Sequence, residues 1–263
     1  MCVDDRALPP ELPAAIARSV GELPHPEFPV LTSSDGARFQ AAMVEAADPI
    51  GPAVVLLPDV RGLIPFYVEL GRRIAQAGHH TVVVDYFGRT AGAEIRGEGF
   101  EFMPHLMQTT PEQIQADIAA AIAESNRRTG EGRAVAMGFC FGGSQCFVAA
   151  RNPQLDLAGV VGFHAGLDGS RFGLFPSPMD NTADVHGPVL ALFGGDDASI
   201  PLDQVKRFEG GLAAAGTDHT VVVYPGAPHS FFDRRFAEFE SECDDSWQRL
   251  LGFLDRVGGA GRD

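Results

Sequence analysis

Positive charge, cysteine and long apolar runs are all scarce in this chain of 263 residues. Only 20 lysines and arginines stand against 35 aspartates and glutamates, which gives a formal net charge of −15. A protein that binds nucleic acid or an anionic membrane needs a basic face, so this balance argues against both kinds of partner. Anionic substrates stay open, because a nearby arginine outweighs distant screened charges.

The four cysteines, at positions 2, 140, 146 and 243, form neither a CxxC pair nor a set with metal-ligand spacing. The N-terminal residues contain early acids and prolines rather than an apolar signal sequence. We therefore expect reduced thiols in a cytoplasmic protein. The longest apolar runs, such as 189–193, have the length of a strand and fall far short of the ~20 residues of a membrane span.

Glycine motifs for nucleotide phosphates and dinucleotides are absent from the sequence, and no cluster of histidines, cysteines and acids has the spacing of a metal site. We therefore predict a protein that works without a cofactor or a metal. Nothing in the sequence decides between a monomer and a homodimer.

Short apolar stretches alternate with amphipathic helical segments along most of the chain. Strands are predicted over residues 53–57, 81–84, 134–139, 158–163, 189–193 and 220–224. A β-hairpin is predicted where residues 30–33 and 38–44 flank the turn sequence Ser-Asp-Gly. Continuous apolar strands between amphipathic helices are typical of an α/β protein with a parallel sheet covered on both faces.

One domain is predicted over residues 27–258. A proline-rich extension over residues 1–26 precedes it, and a short tail over residues 259–263 follows it. Residues 89–110 interrupt the alternation with glycines and then aromatics. We interpret this tract as a long excursion over the carboxyl edge of the sheet and as a candidate lid.

The most informative motif is GFCFGG at residues 138–143, which closes an apolar strand and opens a helix. This is the setting of a nucleophile elbow, Gly-x-Ser-x-Gly, with Cys140 in the place of serine. Glycines are needed because the turn strains the backbone and a side chain at Gly138 or Gly142 would crowd it. The thiol then lies at a helix N-terminus, where the dipole favours an anion. The alternative is a buried structural cysteine beside a tight turn.

A nucleophile of this kind needs a base, and the base needs an acid that orients it. Asp196 and Asp197 follow the predicted strand 189–193, and His229 follows the strand 220–224. Because parallel strands end at one edge of the sheet, we expect one of these aspartates and His229 to lie near Cys140. The alternatives are a helix N-cap for Asp197 and a solvated loop position for His229.

These motifs resemble the dienelactone hydrolase family. The matching segments are LPDVRG at 57–62, DYFGR at 85–89, GFCFGG at 138–143, GGDD at 194–197 followed by Ile200 and Pro201, and GAPHSF at 226–231. The resemblance covers roughly residues 28–257. It implies an α/β-hydrolase fold, with a mostly parallel central sheet, an N-terminal antiparallel hairpin and helices on both faces.

The resemblance also implies roles for individual residues. Cys140, Asp197 and His229 fall on the catalytic triad, which favours Asp197 over Asp196. The backbone N–H groups of Val60 and Phe141 fall on the oxyanion hole.

Further residues are expected around the substrate. Asp59 stands where family members carry a glutamate near the resting thiol, and Arg89 matches the first of two arginines that hold a substrate carboxylate. The second arginine falls at Asp233, so that Arg61 or Arg234 would have to substitute for it. The other expected substrate-binding residues are Phe102, His105, His164, Ser230 and Phe231.

The implied activity is cleavage of the ester bond of a lactone, of the dienelactone type, through a thioester acyl-enzyme. A broad carboxylesterase or thioesterase with the same triad is the alternative. A cysteine peptidase or acyltransferase, and a non-catalytic binding protein on a hydrolase scaffold, are weaker alternatives. The expected partner is a small ester or lactone.

Overall fold

A computed structural model describes residues 8–13, 23–97, 99–130, 132–169, 174–233 and 235–259. Parts of the predicted extension and tail, at residues 1–7, 14–22 and 260–263, lie outside these ranges, as does Arg234. Across the described ranges, no helix combines the length and the apolar character that crossing a lipid bilayer requires.

Eight strands in the described part of the chain form one mixed sheet. They are β1 Val30–Thr32, β2 Arg38–Val44, β3 Val54–Leu57, β4 Thr81–Val84, β5 Val135–Phe139, β6 Gly159–Phe163, β7 Val189–Gly194 and β8 His219–Tyr224. Their order is β1-β2-β4-β3-β5-β6-β7-β8, with β1 and β2 antiparallel to their neighbours and the other pairs parallel. The predicted α/β fold with its N-terminal hairpin is confirmed, and each strand lies within one residue of its prediction.

Helices connect the strands and cover the sheet. They are α1 Pro65–Gln76, α2 Gly88–Ala91, α3 Met103–Leu106, α4 Pro111–Thr129, α5 Phe141–Ala149, α6 Leu202–Ala214 and α7 Glu240–Gly259. The helix α4 begins at a capping box: the Thr110 hydroxyl accepts from the Gln113 N–H, and the Gln113 side chain accepts from the Thr110 N–H. The helix α7 ends at Gly259, one residue inside the predicted tail.

The core has two halves, one on each face of the sheet. Successive side chains of β3 alternate between them, because neighbouring residues of a strand point to opposite faces. Val54 and Leu56 pack with α1 and α7, whereas Val55 and Leu57 pack with α4, α5 and α6. Burial on both faces explains why the strand is continuously apolar.

The described parts of the N-terminal extension pack on the face that α1 and α7 cover. Leu12 belongs to that half of the core. The indole N–H of Trp247 donates to the carbonyl of Pro10, and the Arg72 guanidinium donates to the carbonyls of Leu23 and Pro24. The extension therefore lies on the domain, with its backbone carbonyls bonded to side chains of α1 and α7.

The topology places a crevice at the carboxyl edge of the sheet. From β3 the chain passes through α1 to β4 on one side, whereas from β5 it passes through α5 to β6 on the other. Adjacent parallel strands whose connections leave in opposite directions open a crevice between their carboxyl ends. The loop after β3 and the turn after β5 form this crevice.

Residues 89–110 contain the two short helices α2 and α3. The side chain of Arg96 forms a buried ion pair with Asp85 at 2.5 Å, and its backbone N–H donates to the carbonyl of Leu63. Leu106 is fully buried. These contacts anchor the middle and the end of the segment, whose role as a lid stays a prediction.

Candidate active site

Cys140 connects β5 to α5 in a strained backbone conformation. Its φ is 52° and its ψ is −111°, in a region that residues other than glycine rarely adopt. The backbone holds this turn in place, because the Cys140 N–H donates to the carbonyl of Phe163 at 3.0 Å and the Cys140 carbonyl accepts from the N–H of Ser144. The side chain is half-buried. The local geometry is that of a nucleophile elbow.

The two glycines of the elbow lie where no side chain fits. A Cβ at Gly138 would lie 2.3 Å from the carbonyl carbon of Gly142, and a Cβ at Gly142 would lie 2.3 Å from the carbonyl oxygens of Leu57 and Pro58. Backbone atoms cannot move aside as the end of a side chain can. The close contact of Gly142 with Leu57 and Pro58 also places the first turn of α5 against the loop after β3.

That approach brings together the two segments expected to form the oxyanion hole. Phe141 is the first residue of α5, so its N–H has no acceptor within the helix. Val60 lies in the loop after β3, and the Tyr86 hydroxyl donates to the carbonyls of Pro58 and Asp59 in the same loop. The two N–H groups thus lie on adjacent, well-anchored segments, and their role stays a prediction.

Asp197 and His229 form a hydrogen-bonded pair at the carboxyl edge. The Nδ1 of His229 lies 2.5 Å from Oδ2 of Asp197, whose side chain is only 1% exposed. Asp196 is exposed, so the structure pairs His229 with Asp197 alone of the two aspartates. The alternative N-cap role does not apply, since α6 has no side-chain cap and Asp197 accepts instead from Ser199.

Ser199 binds the Asp197 carboxylate. It was not among the residues predicted for the site. Its backbone N–H and its hydroxyl both donate to Oδ1 of Asp197, at 2.8 and 2.6 Å. Burial raises the pKa of Asp197, but hydrogen bonds from His229 and Ser199 outweigh it, and the pKa is lowered overall. A serine two residues after an aspartate is the spacing of an Asx turn, which is the signal that could have found it.

The ionised Asp197 determines which nitrogen of His229 carries the proton. A carboxylate only accepts hydrogen bonds, so Nδ1 is the donor and Nε2 carries the lone pair. An imidazole in this tautomer can take a proton from a thiol and return it to a leaving group. Among the described residues, no group of three or more histidine, cysteine or acidic side chains could hold a metal ion.

His164 lies directly beside His229, with 4.4 Å between the ring centroids. It has a φ of 35°, and its backbone N–H donates to the carbonyl of Leu192 at 2.7 Å. Burial lowers the pKa of His164 well below its ordinary value, and the neighbouring His229 lowers it further. His164 was expected to line the pocket, and the structure places it as a buried neutral ring against the candidate base.

A chain of aromatic rings, here called the aromatic wall, runs from the elbow to the excursion. Its members, each in ring contact with the next at 4.8 to 5.8 Å between centroids, are Phe175, Phe141, Tyr86, Phe87, Phe100 and His105. Tyr86 and Phe87 are buried, while Phe100, His105 and Phe175 are partly exposed. Phe102 is partly exposed and packs on the same half of the core. The expected contacts Phe102 and His105 therefore lie in or beside an apolar surface.

Arg89 already has two carboxyl partners. Its guanidinium pairs with Asp35 at 2.5 Å and with Asp117 at 2.6 Å, and its side chain is 10% exposed. These partners come from the hairpin turn and from α4. The expected role of Arg89 in holding a substrate carboxylate stays a prediction.

Asp59 and Arg61 bind each other. The fully buried Asp59 carboxylate accepts from the Arg61 backbone N–H at 2.8 Å, from its Nε at 3.2 Å and from its Nη2 at 3.0 Å. Both carboxylate oxygens are therefore engaged by one guanidinium. The expected gating of the thiol by Asp59 has no support in this arrangement.

The remaining expected contacts lie in the core. Phe231 is fully buried against Tyr224, with 5.1 Å between the ring centroids, and Ser230 is only 3% exposed. Full burial leaves Phe231 no exposed surface in this conformation, and its expected role stays a prediction. Asp233, at the expected second arginine position, is also fully buried.

Comparisons with known proteins agree with this geometry. Residues 39–258 match the profile of the "Dienelactone hydrolase family". A "Putative carboxymethylenebutenolidase" from Salmonella typhimurium is 31% identical over 223 residues, which cover 83% of this chain and 82% of the relative. A "Carboxymethylenebutenolidase" from Rhodococcus opacus is 29% identical over 213 residues, which cover 78% of this chain and 81% of the relative.

Solved structures show the same similarity. The "Crystal Structure of Putative Dienelactone Hydrolase" from Klebsiella pneumoniae superposes with a TM-score of 0.73 at 27% sequence identity. The superposition covers 87% of this chain and 98% of that one. The family match and the fold therefore indicate the same set of relatives.

Proposed function

This chain belongs to the dienelactone hydrolase family and is a hydrolase of the carboxylic ester class, and from that membership we propose that it cleaves the ester bond of a small lactone. Cys140 is the nucleophile, His229 the general base and acid, and Asp197 the residue that orients His229. One observation supports these roles above the others. The strained elbow of Cys140 and the 2.5 Å pair of Asp197 and His229 both lie at the carboxyl edge of the sheet.

In the first half of the reaction, Nε2 of His229 takes the thiol proton of Cys140. The resulting thiolate attacks the ester carbonyl and forms a new carbon–sulfur bond. The carbonyl oxygen becomes an oxyanion, which accepts from the N–H groups of Val60 and Phe141; losing one such donor typically costs about 3 kcal/mol of transition-state stabilisation. The carbon–oxygen bond then breaks, and His229 protonates the leaving alkoxide.

In the second half, His229 takes a proton from water as the water attacks the thioester. The carbon–sulfur bond breaks, the acid is released, and the sulfur regains a proton from His229. In a lactone, the oxygen that leaves stays covalently attached to the acyl chain throughout, so the product is a single hydroxy acid. Because sulfur expels a poor leaving group less readily than oxygen does, enol lactones, activated esters and thioesters are the favoured substrates over amides.

Replacement of the candidate nucleophile tests the proposal. We expect Cys140→Ala to abolish hydrolysis of an enol lactone while the circular dichroism spectrum and the melting temperature stay close to those of the parent. Cys243→Ala is the matched control, since this thiol is buried in α7 beside the carbonyl of Phe231. The control should retain turnover. Unchanged hydrolysis by Cys140→Ala would reject the assignment.

A broad carboxylesterase or thioesterase with the same triad is the second candidate function. The observation that favours it is the double ion pair of Arg89, because this arginine is then unable to hold the carboxylate of a dienelactone. A substrate panel discriminates the two. Turnover of simple acyl esters without turnover of carboxylate-bearing enol lactones would support the esterase.

A further inference from the structure

The aromatic wall and the charges behind it point to a class of substrate. We propose that this site accepts esters and lactones whose acyl part is uncharged and apolar, and that it selects against those that carry a carboxylate. This inference rests on the proposed function and specifies which substrates that function serves. It follows from two independent features, the apolar surface beside the nucleophile and the neutralised arginines around it.

The aromatic wall begins at the residue after the nucleophile. The Phe141 ring contacts those of Phe175 and Tyr86 at 4.8 and 5.4 Å, and the wall continues through Phe87 to Phe100. Phe141, Tyr86 and Phe87 are buried, whereas Phe175 and Phe100 are partly exposed. The partly exposed rings of the wall are therefore the ones that an acyl group can meet, and they gain free energy when it covers them from water.

Exposed apolar side chains continue this surface outward. Ile95, Met103 and Met107 belong to the excursion and are 42%, 42% and 53% exposed, and Leu174 next to Phe175 is 38% exposed. Along the chain these side chains flank Phe100, His105 and Phe175, the partly exposed members of the wall. This neighbourhood fits an apolar entrance to the same site.

Arg61 and Arg89 already have carboxyl partners. Arg61 binds both oxygens of the buried Asp59, and Arg89 binds Asp35 and Asp117. Arg89 has only 10% of its side chain exposed, which leaves little surface for a ligand. A guanidinium that already binds a carboxylate attracts a second anion less strongly, because its hydrogen bonds and its charge are already engaged.

Arg96 is enclosed in the same way. It is 5% exposed, it pairs with the fully buried Asp85 at 2.5 Å, and its guanidinium lies over the ring of Phe100 at 4.9 Å from the centroid. The positive charge of Arg96 is thus engaged by Asp85 and by the ring of Phe100. Its effect is to fix an aromatic ring rather than to bind a ligand.

Selection against an anion follows from this balance. A carboxylate that enters an apolar surface loses its hydration, and the cost is large unless a cation replaces the water. Here Arg61, Arg89 and Arg96 each have a carboxyl partner, and the chain as a whole has a net charge of −15. A neutral acyl group avoids both the cost of losing the hydration of a charge and the repulsion by the negative charge of the protein.

Two alkylating reagents of nearly equal size test this selection without any ester. Iodoacetamide is neutral and iodoacetate is anionic, and both alkylate a thiolate. We would measure the two rates at Cys140 by peptide mass spectrometry, each divided by its rate with a small free thiol. Salt at about 0.5 M screens the net charge of the protein, so that the ratio reports the site itself. We expect a normalised preference for iodoacetamide of at least tenfold, and equal or reversed rates would overturn the proposal.

A substitution that frees a cation sharpens this test. Asp59→Asn removes the partner of Arg61, so the relative rate with iodoacetate should rise severalfold. Asp218→Asn is the matched control, because it removes the same formal charge from an exposed pair with Arg256. That control should leave the ratio unchanged. An equal effect of both substitutions would indicate that net charge, rather than the paired arginine, excludes anions.

Two esters that differ by one methyl group relate the selection to turnover. Phenol release from phenyl methyl succinate should exceed that from phenyl hydrogen succinate by at least tenfold in kcat/KM. Comparable or faster release from the carboxylate-bearing ester would overturn this inference. If neither ester releases phenol, the proposed function fails for such esters, while the alkylation ratio still decides whether the site excludes anions.

Discussion

The fully buried imidazole of His164 lies 4.4 Å from the imidazole of His229, measured between ring centroids. On its other side His164 meets the ring of Phe139 at 5.6 Å. His164 thus forms a neutral, rigid support on one side of the candidate base. A neutral neighbour limits rotation of His229 without placing a second positive charge beside the imidazolium of the proposed mechanism.

Substitution of His164 tests this support. His164→Phe keeps a planar ring, so we expect kcat/KM to fall by less than about tenfold. His164→Ala leaves a cavity beside His229, and a misplaced base should lower kcat/KM by about a hundredfold. Because His164 is neutral, the acidic limb of the pH profile should keep its midpoint in His164→Phe. A shift of that midpoint by one unit or more would show that the charge of His164 matters.

The two aspartates before α6 should differ sharply in function. Asp197→Asn allows the wrong tautomer of His229, and we expect kcat to fall by about three to four orders of magnitude. Ser199→Ala removes one of two donors to Asp197, which should lower kcat by about tenfold. Asp196→Asn is the control, since its side chain is exposed, and steady-state kinetics should find it within twofold of the parent. A large loss in Asp196→Asn would contradict the pairing.

Much of the fold follows from local sequence. The strand Thr81–Val84 is β-branched throughout, and the helix after Thr110 has both members of its capping box, so each element was predictable from its own residues. The elbow was predictable for the same reason, because strand, glycines and helix are contiguous. Local signals of this kind determine where elements begin and end.

The elbow glycines allow a stability prediction. Gly142→Ala would place a Cβ 2.3 Å from two backbone oxygens, so we expect it to lower the free energy of unfolding by about 3 kcal/mol. It should also abolish turnover, because the displaced loop carries Val60. Urea denaturation measures the first effect and lactone hydrolysis the second.

Gly252→Ala is the matched control for that substitution. Gly252 lies in α7, and a Cβ there would have no atom within 4 Å. Since alanine favours a helix over glycine, this control should stabilise the protein by up to about 1 kcal/mol. If both alanines have the same effect, the close packing of the elbow is not what requires glycine.

Pairings between distant residues were not predictable. Arg89 lies in a motif that suggests a ligand contact, yet its partners come from the turn after β1 and from the middle of α4. The residues next to Asp35 and Asp117 in the sequence do not indicate that either aspartate pairs with Arg89. Burial of Phe231 and Asp233 likewise depends on how the loop after β8 folds against the core. Local sequence therefore predicted the pairing of Asp197 with His229 and the strained turn at Cys140, whereas the pairing of Arg89 and the burial of Phe231 depend on contacts between distant segments.

The carboxyl of Asp117, which holds Arg89, should make stability depend on pH. Burial raises its pKa to about 7, although the Ser33 hydroxyl and the Arg89 guanidinium both bind it. Between pH 4 and 7 the folded state therefore retains a proton that the unfolded state releases. The contribution of this group to the free energy of unfolding then decreases as pH rises, by at most about 1.4 kcal/mol per pH unit.

Comparison with Asp117→Asn isolates this contribution, because asparagine does not titrate. We would measure the free energy of unfolding in urea for both proteins between pH 4.5 and 8. The advantage of the parent over Asp117→Asn should shrink as pH rises through this range. An advantage that grows with pH would mean that the ion pair with Arg89 keeps Asp117 ionised.

The contact between Pro10 and Trp247 joins residues that are 237 positions apart in the chain. During synthesis Pro10 lacks this partner until α7 has left the exit tunnel. The sheet and the bonds of Arg72 to Leu23 and Pro24 can form before that moment, but the indole N–H reaches Pro10 only afterwards. The extension is thus fastened to the domain in two stages, first at α1 and later at α7.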